Sequence, residues 1–158
     1  GAGAAALSLD LAHGRLLASF LSPLTNRRED CYGGDLERRL AWPLAVVAAV
    51  RAVWPAERPL LARCTAADWS PRGLGPDDGV RIARALAGAG VDLVHVEAGQ
   101  SVAAEQPLYR RGFLTELADR VRNEAGVPVL VGGHLTTLDE VNTVLAAGRA
   151  DLCLLDLS

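Results

Sequence analysis

With 158 residues, half of them hydrophobic, the chain has the size of one domain and enough apolar content to bury a core, which excludes a disordered polypeptide. A net charge of −3 with scattered Arg residues gives no basic stripe, and no apolar run approaches a bilayer span, so nucleic acid and membrane are set aside as partners. No basic segment followed by an apolar one opens the sequence, so a cytoplasmic location is expected, with Cys31, Cys64 and Cys153 reduced because they are odd in number and lack C-x-x-C spacing.

In chain order, Gly1 to Ala6 is small and featureless, like the tail of a truncated helix, and a strand is expected over Leu7 to Leu11. It ends in the polar tip Ala12-His13-Gly14 and runs into a long loop from Phe20 to Gly34. Leu36, Leu40, Leu44, Val47 and Val50 then recur at helical spacing, with Pro43 expected to kink or split that helix. Further strands are expected at Leu60 to Cys64, Val91 to Val96, Val127 to Val131 and Asp151 to Leu155. Between them lie helices marked by Ile82, Ala83 and Leu86, by Leu114, Leu117, Ala118 and Val121, and by the capping box Thr137-Leu138-Asp139-Glu140. Pro76, Asp77 and Asp78 suit a first helical turn, while Gly90, Gly126 and Gly148 end helices.

Alternating strands and helices mean an α/β fold of parallel βαβ units, read as one domain over 1–158. Five strands leave two architectures. A flavodoxin-like sheet matches the length but requires a phosphate-binding turn after its first strand. This chain instead carries Ala12-His13-Gly14-Arg15 and a twenty-residue excursion, which fits a partial TIM (β/α)8 barrel better. A complete barrel needs roughly 250 residues, so the chain supplies about strands 4 to 8. Its open edges call for self-association or a completing barrel segment.

The Phe20 to Gly34 loop reads F-L-S-P-x-x-N-x-R-x-D-x-Y-G-G, through Phe20, Leu21, Ser22, Pro23, Asn26, Arg28, Asp30, Tyr32, Gly33 and Gly34. Ten fixed positions in fifteen make a chance match improbable. The loop resembles the signature of the old yellow enzyme family of FMN-dependent NAD(P)H oxidoreductases. Further stretches, Ala52-Val53-Trp54-Pro55, Asp68-Trp69, Pro76-Asp77-Asp78, Ala98-Gly99-Gln100 and Gly148-Arg149-Ala150-Asp151-Leu152-Cys153, are similar to the oxidoreductase half of salicylyl-CoA and aminobenzoyl-CoA hydroxylases.

The resemblance implies FMN as cofactor, NAD(P)H as reductant and an enone or aryl-CoA as small-molecule substrate. It implies that Arg63 lies against the flavin ring, where a fixed charge stabilises the anionic reduced form. Read without it, Arg63 near the end of a buried strand needs a carboxylate partner, Asp68 or Glu97. Gly132, Gly133 and His134 correspond to the turn that meets the FMN phosphate, and glycines there also serve a turn that needs positive φ. The family's second phosphate group, an Arg after the last strand, is absent from Leu155-Asp156-Leu157-Ser158.

Asp10 and His13 occupy the family's pair of donors to the substrate oxygen, and an ionised Asp cannot donate. Arg15 stands where other members carry a proton-delivering Tyr, and its pKa makes it a poor acid. The expected function is therefore hydride transfer through FMN to an activated double bond, incomplete in this chain. Two alternatives stand beside it: a non-catalytic remnant or interaction module, and a metal-dependent hydrolase using Asp10, His13, His134 and Asp156.

Overall fold

Five parallel strands form a single sheet in the order β1-β2-β3-β4-β5, each hydrogen-bonded to the next in sequence. The strands are β1 (Leu7–Leu11), β2 (Leu60–Thr65), β3 (Leu93–Glu97), β4 (Val129–Val131) and β5 (Leu152–Cys153). A computed structural model describes residues 3–103 and 109–157, so residues 1–2, 104–108 and 158 of the expected domain lie outside the described residues.

The strand order decides between the two architectures. A flavodoxin-like sheet reverses direction after its first crossover. Here every crossover advances one strand the same way, and right-handed crossovers of that kind place all helices on one face. Burial agrees: Leu60, Ala62, Cys64, Val94, Val96, Val129 and Val131 are buried under the helices, while the alternate residues Leu61, Arg63, Leu93, His95, Glu97 and Leu130 are only partly covered. The result is a wall of a TIM-type barrel, with its inner face open.

The helices are α1 (Ala18–Leu21), α2 (Leu36–Val53), α3 (Pro76–Gly88), α4 (Thr115–Arg120) and α5 (Leu138–Ala146), with α4 continued by a π-helical turn, Val121–Ala125. Asp35 caps α2 by accepting the Arg38 N–H at 2.9 Å. Of the two outcomes expected at Pro43, a kink or a split, the split does not occur, and α2 runs unbroken through it. Pro43 removes one helical hydrogen bond, but Leu40, Pro43 and Val47 are all buried, so packing holds both halves in one helix. Val47, Leu60, Ile82, Leu86 and Val129 are fully enclosed, each contributing about 1.5–3 kcal/mol.

Pro76 opens α3, where the Asp78 side chain accepts the Gly75 N–H at 3.1 Å. The capping box of α5 is formed both ways, Glu140 N–H to Thr137 Oγ1 at 3.2 Å and Thr137 N–H to Glu140 Oε2 at 3.1 Å. Among the described residues no helix is long and apolar enough to cross a membrane.

Candidate active site

Parallel register sets three polar side chains in a row across the inner face. Asp10 of β1 pairs with Arg63 of β2, and Arg63 with His95 of β3. Each is flanked in its own strand by apolar neighbours that face the helices. One step further along, Thr65 pairs with Glu97 at the carboxyl end of the sheet.

Glu97 gathers this row. Its Oε1 accepts hydrogen bonds from Arg63 Nε at 3.0 Å and Nη2 at 2.7 Å, and lies 3.4 Å from His95 Nε2. Its Oε2 lies 3.6 Å from His13 Nε2. The Glu97, His13 and His95 side chains are 14–16% exposed. Asp10 is held from the other side by Arg15 Nε at 2.9 Å, and its Oδ1 accepts the Ala12 N–H at 3.1 Å. Burial pushes the pKa of His13 and of His95 below the ordinary imidazole value, Glu97 opposes it, and Arg63 reinforces it. Burial therefore favours the neutral form of both histidines.

Backbone strain concentrates at the same end of the sheet. Four non-glycine residues among those described have left-handed backbone: His13 (φ 53°), Trp69 (φ 50°), Gln100 (φ 58°) and His134 (φ 57°). They stand in the segments that follow β1, β2, β3 and β4 respectively. Such conformations cost on the order of 1 kcal/mol or more each and persist where surrounding contacts impose them, typically at functional sites. At His13 the contact is visible, its N–H donating to Thr65 Oγ1 at 3.0 Å.

The signature loop beside this face is held by its own fixed residues. Asn26 Nδ2 donates to the Phe20 and Tyr32 carbonyls at 2.8 and 2.7 Å, and its Oδ1 accepts the Arg28 N–H at 3.1 Å. Asp30 pairs with Arg28 and accepts the Tyr32 N–H. A Cβ at Gly33 would overlap the Arg28 carbonyl, so only glycine fits. Ser22 Oγ donates to Asp68, which is fully buried and also accepts from Ser101 and from the Leu74 N–H. The signature is thus an architectural device that shapes the mouth.

The sequence-derived candidates fall into two groups. Asp10, His13 and Arg63 come together, and Arg63 takes Glu97 rather than Asp68 as its partner. Gly132, Gly133 and His134 form a second group after β4, where Gly133 needs its positive φ of 90° and exposed His134 packs near Tyr109 and Phe113. No hydrogen bond or ion pair among the described residues joins the groups. Asp156 engages the Leu135 carbonyl through its backbone N–H, and no set of three or more His, Cys, Asp or Glu among the described residues is arranged to hold a metal. The three cysteines are free, and burial pushes the Cys64 thiol up to about 12.

His95 was not apparent as a site residue in the sequence. Val-His-Val reads locally as a strand, and its meaning comes from the neighbouring Leu-Asp-Leu and Ala-Arg-Cys, which share the pattern of one polar residue between apolar ones.

Residues 1–155 match the sequence model of the NADH:flavin oxidoreductase / NADH oxidase family. The chain is 41% identical over 154 residues to an NADPH dehydrogenase of Geobacillus thermodenitrificans, covering 98% of this chain and 44% of that protein. It is 38% identical over 152 residues to an NADPH dehydrogenase of Clostridium acetobutylicum, covering 96% and 44%. The chain therefore spans under half the length of these curated relatives. Among solved structures, a 2-naphthoyl-CoA reductase in complex with 2-naphthoyl-CoA superposes with a TM-score of 0.85 at 26% identity, over 96% of this chain and 24% of that one. Morphinone reductase superposes with a TM-score of 0.73 at 24% identity, over 97% and 40%, a likeness of fold.

Proposed function

Because this chain belongs to the NADH:flavin oxidoreductase / NADH oxidase family, we propose that it forms part of the FMN site of an NAD(P)H-dependent oxidoreductase acting on an activated double bond. The observation that carries the reading is Arg63, a guanidinium fixed by Glu97 beside His13 at the strained carboxyl end of the sheet. Barrel enzymes build their sites at that end.

The donor set fits the ring end of a flavin. Arg63 keeps 32% of its side chain exposed, and its Nη1 lies 4.0 Å from Asp10, beyond hydrogen-bond reach. A free N–H on a fixed cation suits an electron-rich ring edge. For the phosphate end, the reading relies on the Gly132-Gly133-His134 turn. When bound, FMN supplies the two-electron carrier between reductant and substrate.

Arg63 would hold the ring and counter its charge, while His13 would donate a hydrogen bond to the substrate oxygen. Asp10, bound to Arg15, supports Arg63 instead of donating to substrate. We infer an aryl-CoA or an enone as the substrate class; the 2-naphthoyl-CoA reductase likeness and the local resemblance to aryl-CoA hydroxylases favour the first. Dependence on NAD(P)H suits a cytoplasmic location, and the open sheet edges suit either a completing barrel segment or self-association.

A second reading, a non-catalytic interaction module on the same scaffold, draws on one observation: Glu97 already engages two donor nitrogens of Arg63. Visible absorbance separates the two. A flavin spectrum that co-purifies with the protein, or that shifts when FMN is added, supports the oxidoreductase; an unshifted FMN spectrum at excess protein supports the module.

A further inference from the structure

Glu97 stands where an incoming anion would meet Arg63, and it is flanked by the two groups of the mouth that can gain a proton near neutral pH. We propose that Glu97 is a resident counter-ion: an anionic group that reaches Arg63 displaces its carboxylate, and the displacement takes one proton from solvent onto the His13–His95 pair. This deepens the reading above and rests on it only for the position of the mouth.

The charges that face Glu97 come from all three strands and the turn after β1. Asp10 and Glu97 are balanced by Arg15 and Arg63, and burial favours the neutral form of His13 and His95. Apart from Arg15, 66% exposed, these side chains are 14–36% exposed, so an added negative charge is poorly screened. The mouth then carries one uncompensated charge beside two carboxylates. His13 and His95, 3.6 and 3.4 Å from Glu97, are the compensating groups. Before binding, burial holds both below the ordinary imidazole value, and an anion between them and Arg63 raises that value. Affinity for anions therefore rises as pH falls through the window between the free and bound values.

Benzoate is a suitable probe, because its charge is fixed across this range and it needs no flavin. Isothermal titration at about pH 7.5, in buffers of different ionisation heat, counts the protons taken up. We expect about one proton per benzoate bound, with affinity rising up to tenfold per unit of falling pH. Glu97→Gln should bind benzoate roughly tenfold or more tighter at the same pH, with uptake close to zero, because one carboxylate has left the mouth. Glu97→Asp should retain the uptake.

Binding to Glu97→Gln alone also supports the proposal. Benzoate binding to the unaltered chain without proton uptake overturns it, as does a Glu97→Gln variant that binds no tighter, or the absence of binding to both. If Glu97→Gln fails to fold, the proton count of the unaltered chain and of Glu97→Asp decides. FMN titrated in parallel separates the two readings: proton-linked benzoate binding without FMN binding sinks the flavin site and leaves the counter-ion.

Discussion

Ser22 donates a 2.6 Å hydrogen bond to Asp68 across 46 residues of sequence, tying the signature loop after β1 to the loop after β2. Asp68 is fully buried and also accepts from Ser101, beyond β3, so a single carboxylate fixes the segments above three adjacent strands. Asp68→Ala leaves the Ser22 hydroxyl and the Leu74 N–H without their acceptor, and should destabilise the chain by about 2–4 kcal/mol. Urea denaturation measures this, and a loss below about 0.5 kcal/mol would contradict the role given to Asp68.

Two glycines should respond in opposite directions to the same substitution. Gly33→Ala drives a Cβ into the Arg28 carbonyl and should cost about 2 kcal/mol or more. Gly88, the last residue of α3, has open space where a Cβ would stand, and its φ is not in the left-handed region. Gly88→Ala should stabilise by about 0.5–1 kcal/mol. Thermal unfolding of the pair tests the claim that the first glycine of the signature pair, Gly33, is required by steric overlap.

How much of this was legible in the sequence differs by element. The strands were readable because runs such as Leu7 to Leu11 combine apolar content with flanking turn residues, and β1 has the bounds expected for it. β5 is shorter than expected, with just Leu152 and Cys153 in register with β4. α1, at four residues, is too short to show a helical period. Arg63 was identified from its own strand, with Glu97 among its possible partners. The Asp10, Arg63 and His95 row required knowing that three strands separated by loops and helices lie side by side.

Acid should weaken the start of α5. The backbone N–H of Thr136 holds the Glu140 carboxyl down to about 2, from an ordinary value of 4.5. A depressed carboxylate contributes stability that is present above the ordinary value and lost as pH falls through the folded one. Stability should therefore decline between about pH 4.5 and 2, and Glu140→Gln should flatten that part of the profile. An identical acid limb in the variant would contradict the assignment.

The outer edge of the sheet should make the isolated chain associate. Leu152, Leu154 and Leu157 are 47–84% exposed near β5, whose other side is unpaired among the described residues. Light scattering should give a mass that rises with protein concentration. A constant monomer mass over that range would mean that the edge is protected.

The central claim, that Arg63 sits at a flavin site, is tested most directly by quenching of FMN fluorescence with the chain and with Arg63→Ala. The expected result is weak, saturable binding, since the chain spans under half of its relatives. Arg63→Ala should weaken it by roughly tenfold, the value of one fixed charge at a partly covered site. Saturable binding that is unchanged in Arg63→Ala would contradict the claim and leave Arg63 as a structural partner of Glu97.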